Sequence, residues 1–108
     1  MLLSLKNRTA LVTGGSKGIG LAMAQHLGDA GAQIVICARS QDTLELACEQ
    51  LQSSGITAFS VRADVSIPDD VDELMEKARA RFGGVDILVN NAVSSTQNTF
   101  DGLSEEEW

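Results

Sequence analysis

Short apolar runs alternate with amphipathic segments of helical period along this sequence, and the alternation restricts the chain to few folds. Apolar or β-branched runs occupy residues 9–13, 34–38 and 87–89, with a weaker run at 56–61. Continuous runs of this kind are typical of strands buried on both faces, as in a parallel sheet. Three stripes at helical spacing lie between them: Ile19, Ala22, Met23, Leu27 and Ala30; Leu44, Ala47, Cys48 and Leu51; Val71, Leu74, Met75, Ala78 and Phe82. The order β-α-β-α-β-α-β predicts an α/β fold with helices on both faces of the sheet.

Composition and charge exclude several classes of protein. The 108 residues carry 8 basic and 15 acidic side chains, a net charge of −7. We therefore expect no nucleic acid and no anionic membrane among the partners, because both would repel the chain. No apolar run approaches the roughly 20 residues of a membrane-spanning helix. Cys37 and Cys48 lie in apolar stretches without clustered ligands, which predicts buried, reduced thiols, no metal site and a cytoplasmic protein.

A glycine-rich segment, T-G-G-S-K-G-I-G at residues 13–20, follows the first predicted strand and opens the first predicted helix. Glycine lets the backbone turn sharply and lets a ligand approach without meeting a Cβ. The free amides of the helix start, helped by the helix dipole, then favour an anion such as a pyrophosphate. The order of residues in this segment does not fit a Walker-type loop, since Lys17 precedes Gly18. The spacing of Gly14, Gly18 and Gly20 does not fit the G-x-G-x-x-G fingerprint either.

The spacing T-G-x-x-x-G-x-G resembles that of the short-chain dehydrogenase/reductase family. Two further matches follow in order: Asp64-Val65 after the third strand, and Asn90-Asn91-Ala92 after the fourth. The resemblance implies a Rossmann-type doubly wound parallel sheet, of which residues 1–108 form the first four strands, and a nicotinamide dinucleotide as ligand. The cofactor-binding residues that it implies are Gly14, Ser16, Lys17, Gly18, Ile19, Gly20, Arg39, Asp64, Val65, Asn90, Asn91 and Ala92. Val93 replaces the family's glycine, which indicates either local crowding or tolerated loop variation.

The end of the second strand predicts which nicotinamide cofactor binds. In Rossmann domains that select NAD, an acidic residue roughly 20 positions after the glycine turn holds the ribose 2′-hydroxyl. Here Arg39 stands at that place and Lys17 lies in the turn. Arginine binds a phosphate bidentately and lysine adds a point charge, so we predict NADP(H) rather than NAD(H). The alternative is that Arg39 is only a surface residue of a loop.

The catalytic groups of the family are missing from this sequence. The resemblance implies a Ser, and a Tyr and Lys in Y-x-x-x-K, acting on a small carbonyl or alcohol substrate; the chain contains no Tyr. Ser104 and Glu107 form a capping box that predicts a further helix. We therefore expect the truncated, N-terminal part of an enzyme of roughly 250 residues, inactive alone and a homo-oligomer when complete. A non-catalytic dinucleotide-binding module and an inert fragment remain the alternatives.

Overall fold

The computed structural model describes residues 4–91 and confirms the predicted alternation of strands and helices. The elements are β1 (Thr9–Thr13), α1 (Gly18–Asp29), β2 (Gln33–Ala38), α2 (Gln41–Ser53), β3 (Ala58–Arg62), α3 (Pro68–Phe82) and β4 (Ile87–Asn90). Ala92, Val93 and the helix predicted at Ser104 to Glu107 lie outside the described residues. Over residues 4–91, no helix is long and apolar enough to cross a membrane.

The four strands form one parallel sheet in the order β3-β2-β1-β4. β1 is central, with Leu11 opposite Val35 of β2 and Leu88 of β4. The chain moves outward from β1 to β3 and then returns to pair β4 on the other side of β1. Between β1 and β4 the strand order therefore reverses, and doubly wound sheets bind ligands at such a point, beyond the carboxyl ends of the strands.

Two apolar layers cover the sheet, one on each face. On one face, Ala10 and Val12 pack with α1 and α2 through residues such as Ala24 and Leu44. On the other, the cluster comprises Leu11, Val35, Cys37, Val61, Ala63, Leu74 and Ala78, the last two from α3. Helices on both faces explain why β1 and β2 are continuously apolar, and they confirm the doubly wound architecture.

The predicted apolar stripe of α1 is wrong at Ile19, Ala22 and Met23, whereas its Leu27 does pack against the core. Ile19 is 70% exposed and Met23 is 39% exposed, whereas the buried residues are Gly20 and Ala24. The helix lies so close to the glycine turn that a Cβ on Gly20 would stand 2.2 Å from the carbonyl oxygen of Gly14. Small residues therefore mark the part of this helix that faces the glycine turn, whereas Leu21 and Leu27 pack against the core beside them.

Two local expectations also need correction. β3 begins at Ala58 rather than at residue 56, and Ile56 is buried instead against Gly28 of α1. Leu88 of β4 is 63% exposed, because β4 is the edge strand of the described sheet and nothing in residues 4–91 covers that face.

Both cysteines are buried and unpaired, as the sequence predicts. Cys37 is 1% exposed, and burial raises the pKa of its thiol to about 11, against a smaller lowering by a hydrogen bond from the Gly14 backbone. Burial also raises the pKa of Cys48. Both groups are therefore neutral thiols at physiological pH, and neither is activated as a nucleophile.

Candidate functional site

The carboxyl ends of the four strands surround a cleft of about 600 Å³. It is lined by Gly14, Ser16, Lys17, Cys37, Ala38, Arg39, Ser40, Thr43, Ala63, Asp64, Val65, Ser66, Asn90 and Asn91. The lining includes eight of the residues predicted from the sequence: Gly14, Ser16, Lys17, Arg39, Asp64, Val65, Asn90 and Asn91. The other three described ones, Gly18, Ile19 and Gly20, form the adjoining first turn of α1.

Two backbone hydrogen bonds hold the turn at Gly14 and Gly15 against β2. The amides of Gly14 and Gly15 both donate to the carbonyl oxygen of Cys37, at 2.9 and 3.3 Å. A Cβ on Gly15 would lie 2.8 Å from Cγ2 of Ile36, so a side chain there would push the turn off β2. Close packing against β2 thus fixes the floor of the cleft.

The start of α1 is open to an anion. Lys17, the capping residue, makes no side-chain capping hydrogen bond, and the first turn contains no acidic residue. The first helical bond runs from the Leu21 amide to the Lys17 carbonyl, so the preceding amides lack intrahelical partners. Gly18 adopts φ +61°, and a Cβ there would meet nothing within 4 Å. The helix dipole and the open approach together favour a phosphate at this end.

Thr13, the last residue of β1, holds the end of β4 in place. Its hydroxyl oxygen accepts the Asn91 amide at 2.9 Å and lies 3.1 Å from Oδ1 of Asn90 and 3.3 Å from the carbonyl oxygen of Val89. Thr13 is only 5% exposed. The sequence interpretation did not assign this residue a role, although the Thr of T-G-x-x-x-G-x-G was the available signal. The hydroxyl thus contacts the side chain of Asn90 and the backbone of Asn91, both of which line the cleft.

Replacing Thr13 with valine tests that role. The variant keeps nearly the same shape but leaves the Asn91 amide without its acceptor, so the free energy of unfolding should fall by about 1–2 kcal/mol. Cofactor affinity should fall as Asn90 and Asn91 lose their orientation. Thr9→Val is the matched control, because Thr9 is equally buried in β1 but bonds Gln33 at the opposite end of the strand. Equal losses of affinity in the two variants would contradict the role of Thr13.

Asp64 lies at the end of β3 with one carboxylate oxygen already engaged. Its Oδ1 accepts the Ser66 hydroxyl at 2.6 Å and the Ser66 amide at 3.0 Å. These two hydrogen bonds, followed by the charges of Arg39 and Arg62, lower the pKa of Asp64. The group is therefore a carboxylate at neutral pH, with its second oxygen able to accept an N–H from a ligand. Ser66 was missed by the sequence analysis as a cleft residue.

The cations of the cleft form no ion pair with a described carboxylate, although the charge of Arg39 contributes to the lowered pKa of Asp64. The ion pairs within residues 4–91 join Arg8 to Asp86, Arg62 to Asp70, Lys77 to Glu73 and Arg79 to Glu76. Lys17 and Arg39 are exposed, and no described carboxylate lies within salt-bridge distance of either. The nearest acid in sequence, Asp42, is in the first turn of α2 and does not line the cleft. In the same described region, no group of three or more His, Cys, Asp or Glu side chains is placed to hold a metal ion.

Comparison with known proteins assigns the chain to a family. The short chain dehydrogenase family profile matches residues 8–108. The chain belongs to this family. The 3-oxoacyl-(acyl-carrier-protein) reductase FabG of Staphylococcus epidermidis is 37% identical to this chain over 103 residues, which are 94% of this chain and 42% of that protein. An uncharacterized oxidoreductase of Mycobacterium bovis is 39% identical over 104 residues, again 42% of its length.

Several solved structures are similar to this chain in both fold and sequence. L-sorbose reductase from Gluconobacter frateurii, complexed with NADPH and L-sorbose, superposes with a TM-score of 0.85 at 39% identity, covering 100% of this chain and 41% of that one. A variant of the actinorhodin polyketide ketoreductase with NADPH superposes with a TM-score of 0.79 at 37% identity, covering 81% of this chain and 33% of that one. The chain thus spans well under half the length of these relatives.

Proposed function

We propose that this chain is the cofactor-binding part of an NADP-dependent short-chain oxidoreductase, with residues 1–108 forming a partial Rossmann domain. The observation that carries the proposal is the position of Lys17 and Arg39, both in the cleft beside the glycine turn and neither paired with a described carboxylate. The complete enzyme would transfer a hydride between the nicotinamide and a small carbonyl or alcohol substrate. The NADPH in the sorbose reductase and ketoreductase structures supports this choice.

Each part of the cleft suits one part of the cofactor. The pyrophosphate would lie over the amides at the start of α1, and the residues proposed to hold it are Gly14, Ser16, Gly18, Ile19 and Gly20. The adenine would lie beside Asp64 and Val65, and Lys17 and Arg39 would bind the 2′-phosphate. The residues proposed beside the nicotinamide ribose are Asn90, Asn91 and Ala92. The open space at Gly18, which a Cβ would begin to fill, is the structural feature that fits a ligand here.

The work of this chain is binding and orientation. The bound cofactor supplies or accepts a hydride at its nicotinamide ring, and the protein positions that ring. Proton transfer to or from a substrate oxygen is assigned to no residue here, because the 108 residues contain no Tyr. We therefore propose that these residues alone bind the cofactor without turning over substrate.

Three further proposals concern the surroundings of the chain. Ile19, Met23 and Leu88 are large apolar side chains with exposed surface, which further protein would cover in a complete, homo-oligomeric enzyme. The buried, unpaired thiols support a reducing, cytoplasmic location. The net charge of −7 supports partners that are small molecules rather than nucleic acid or membrane.

Titration of the purified chain with NADPH and NADH tests the proposal. We expect saturable NADPH binding about tenfold tighter than NADH binding, a difference of roughly 1.4 kcal/mol. NADPH should also raise the melting temperature, because it binds only the folded state. No NADPH oxidation should follow when carbonyl compounds are added. Aggregation without binding would contradict the proposal and indicate an inert fragment, whereas equal affinities would contradict the choice of NADP.

The cleft suits equally a second candidate, a dinucleotide-binding module that has no catalytic role. The two candidates predict the same cofactor binding. They differ in the activity expected of the protein encoded by the complete gene. If that protein reduces a carbonyl compound with NADPH, it is an oxidoreductase; if it binds NADPH but reduces no carbonyl compound, it is a binding module.

A further inference from the structure

Two loops border the adenosine end of the cleft, and one arginine connects them. They are residues 39–40, after β2, and residues 63–66, after β3. Arg62, the last residue of β3, stands opposite Ala38 in the strand register. Its Nε donates to the carbonyl oxygen of Arg39 at 3.2 Å. The Arg62 side chain thus spans from β3 to the residue whose guanidinium is the proposed phosphate ligand.

Asp70, in the first turn of α3, extends this connection to the second loop. Its Oδ2 accepts the backbone amide of Asp64 at 2.9 Å and lies 3.9 Å from Nη1 of Arg62. The Asp70 side chain is 25% exposed, so it is more enclosed than Arg62 at 53%. A continuous path therefore runs from the Arg39 carbonyl through Arg62 and Asp70 to the backbone of Asp64.

Neither Arg62 nor Asp70 lines the cleft, although the residues they hold do. Resting on the proposed function, we propose that Arg62 and Asp70 are positioning residues that fix the spacing of the two loops and thereby favour NADP over NAD. They act through Arg39 and Asp64 and do not touch the cofactor.

The selectivity follows from which contact each cofactor uses. Both cofactors carry the adenine proposed to lie beside Asp64, but only NADP carries the 2′-phosphate proposed to bind Arg39. Preorganised loops bind more tightly because less order has to be imposed on binding. Releasing the Arg39 carbonyl therefore weakens NADP binding more than NAD binding.

Arg62→Met is the first test, because methionine keeps an unbranched stem and removes every donor. We expect the dissociation constant for NADPH to rise about fivefold, the scale of an effect transmitted through a neighbouring residue, while that for NADH changes less than twofold. Arg79→Met is the matched control, since Arg79 is also paired with a carboxylate and lies near the far end of α3. A similar loss for both cofactors, or the same loss in the control, would overturn the proposal.

Arg62→Lys separates positioning from simple attraction of the phosphate by charge. Lysine keeps the positive charge, but its one ammonium group cannot stand both at the Nε position beside Arg39 and at the terminal position beside Asp70. We expect the NADPH preference to fall in this variant as well. A preference equal to that of the unaltered protein would show that charge alone acts at this position, and would overturn the proposal.

Hydrogen exchange without cofactor distinguishes failure of this inference from failure of the proposed function. Arg62→Met should speed amide exchange in residues 39–43 and 64–66, and Arg79→Met should not. Unchanged exchange in Arg62→Met overturns the positioning role even where NADPH is preferred. If the unaltered protein does not prefer NADPH, the proposed function fails on that point, and faster exchange in Arg62→Met still supports the connection between the loops.

Discussion

Gly20→Ala is expected to abolish measurable NADPH binding and to lower the free energy of unfolding by about 3 kcal/mol. The added Cβ would lie 2.2 Å from the carbonyl oxygen of Gly14 and 2.8 Å from Nδ2 of Asn91. Because the first of these atoms belongs to the backbone, α1 has to move away from the glycine turn. That movement displaces the helix amides that are proposed to bind the pyrophosphate. Thermal melts measure the loss of stability, and NADPH titration measures the loss of cofactor binding.

Gly83→Ala is the control for backbone strain without a clash. Gly83 follows α3 with φ +90°, and a Cβ there would meet nothing within 4 Å. This variant should lose about 1 kcal/mol of stability, the scale of a non-glycine residue in the left-handed region, and keep its NADPH affinity. Unchanged NADPH binding by folded Gly20→Ala would show that the close approach of α1 to the turn is not needed for the cofactor.

The order of the elements, the buried face of α2 and part of that of α3 were predictable because burial leaves a periodic trace. In α3, Leu74 and Ala78 are buried as predicted, but Met75 is 37% exposed. The continuous runs of β1 and β2 reflect helices on both faces of the sheet. In α2 the four predicted apolar residues, Leu44, Ala47, Cys48 and Leu51, are all buried. These features depend on near neighbours in the sequence and on the mean environment of each face, so local pattern is sufficient to find them.

The inner face of α1 was only partly predictable from apolar periodicity, because at its start distance rather than hydrophobicity selects the residue. Gly20 faces the glycine turn, where a Cβ does not fit, and Ile19 beside it is exposed. The site shows the same limit. Lys17 and Arg39 could be found from the glycine turn and the strand end. Thr43, in the first turn of α2, and Ser66, in the loop after β3, reach the cleft only through the three-dimensional path of the chain.

Arg39→Asp is expected to raise the dissociation constant for NADPH about 100-fold and to strengthen NADH binding a fewfold. Loss of a charge-assisted hydrogen bond costs about 1.5–3 kcal/mol, and the new carboxylate also repels the 2′-phosphate. Each 1.4 kcal/mol corresponds to about a tenfold change in affinity. The same carboxylate can accept the 2′-hydroxyl of NADH. Fluorescence titration with both cofactors measures the ratio of dissociation constants.

Two comparisons separate a direct contact at Arg39 from the overall charge of the protein. Lys6→Asp makes the same change in net charge at an exposed residue before β1, on the edge of the sheet opposite the cleft, and should leave the ratio unchanged. Raising the ionic strength should reduce the difference between Arg39→Asp and the unaltered protein, because Arg39 is exposed and its charge is screened. An unchanged NADPH affinity in Arg39→Asp would mean that Arg39 is a surface residue with no part in binding the 2′-phosphate. A loss as large in Lys6→Asp would assign the effect to the net charge of −7 rather than to the end of β2.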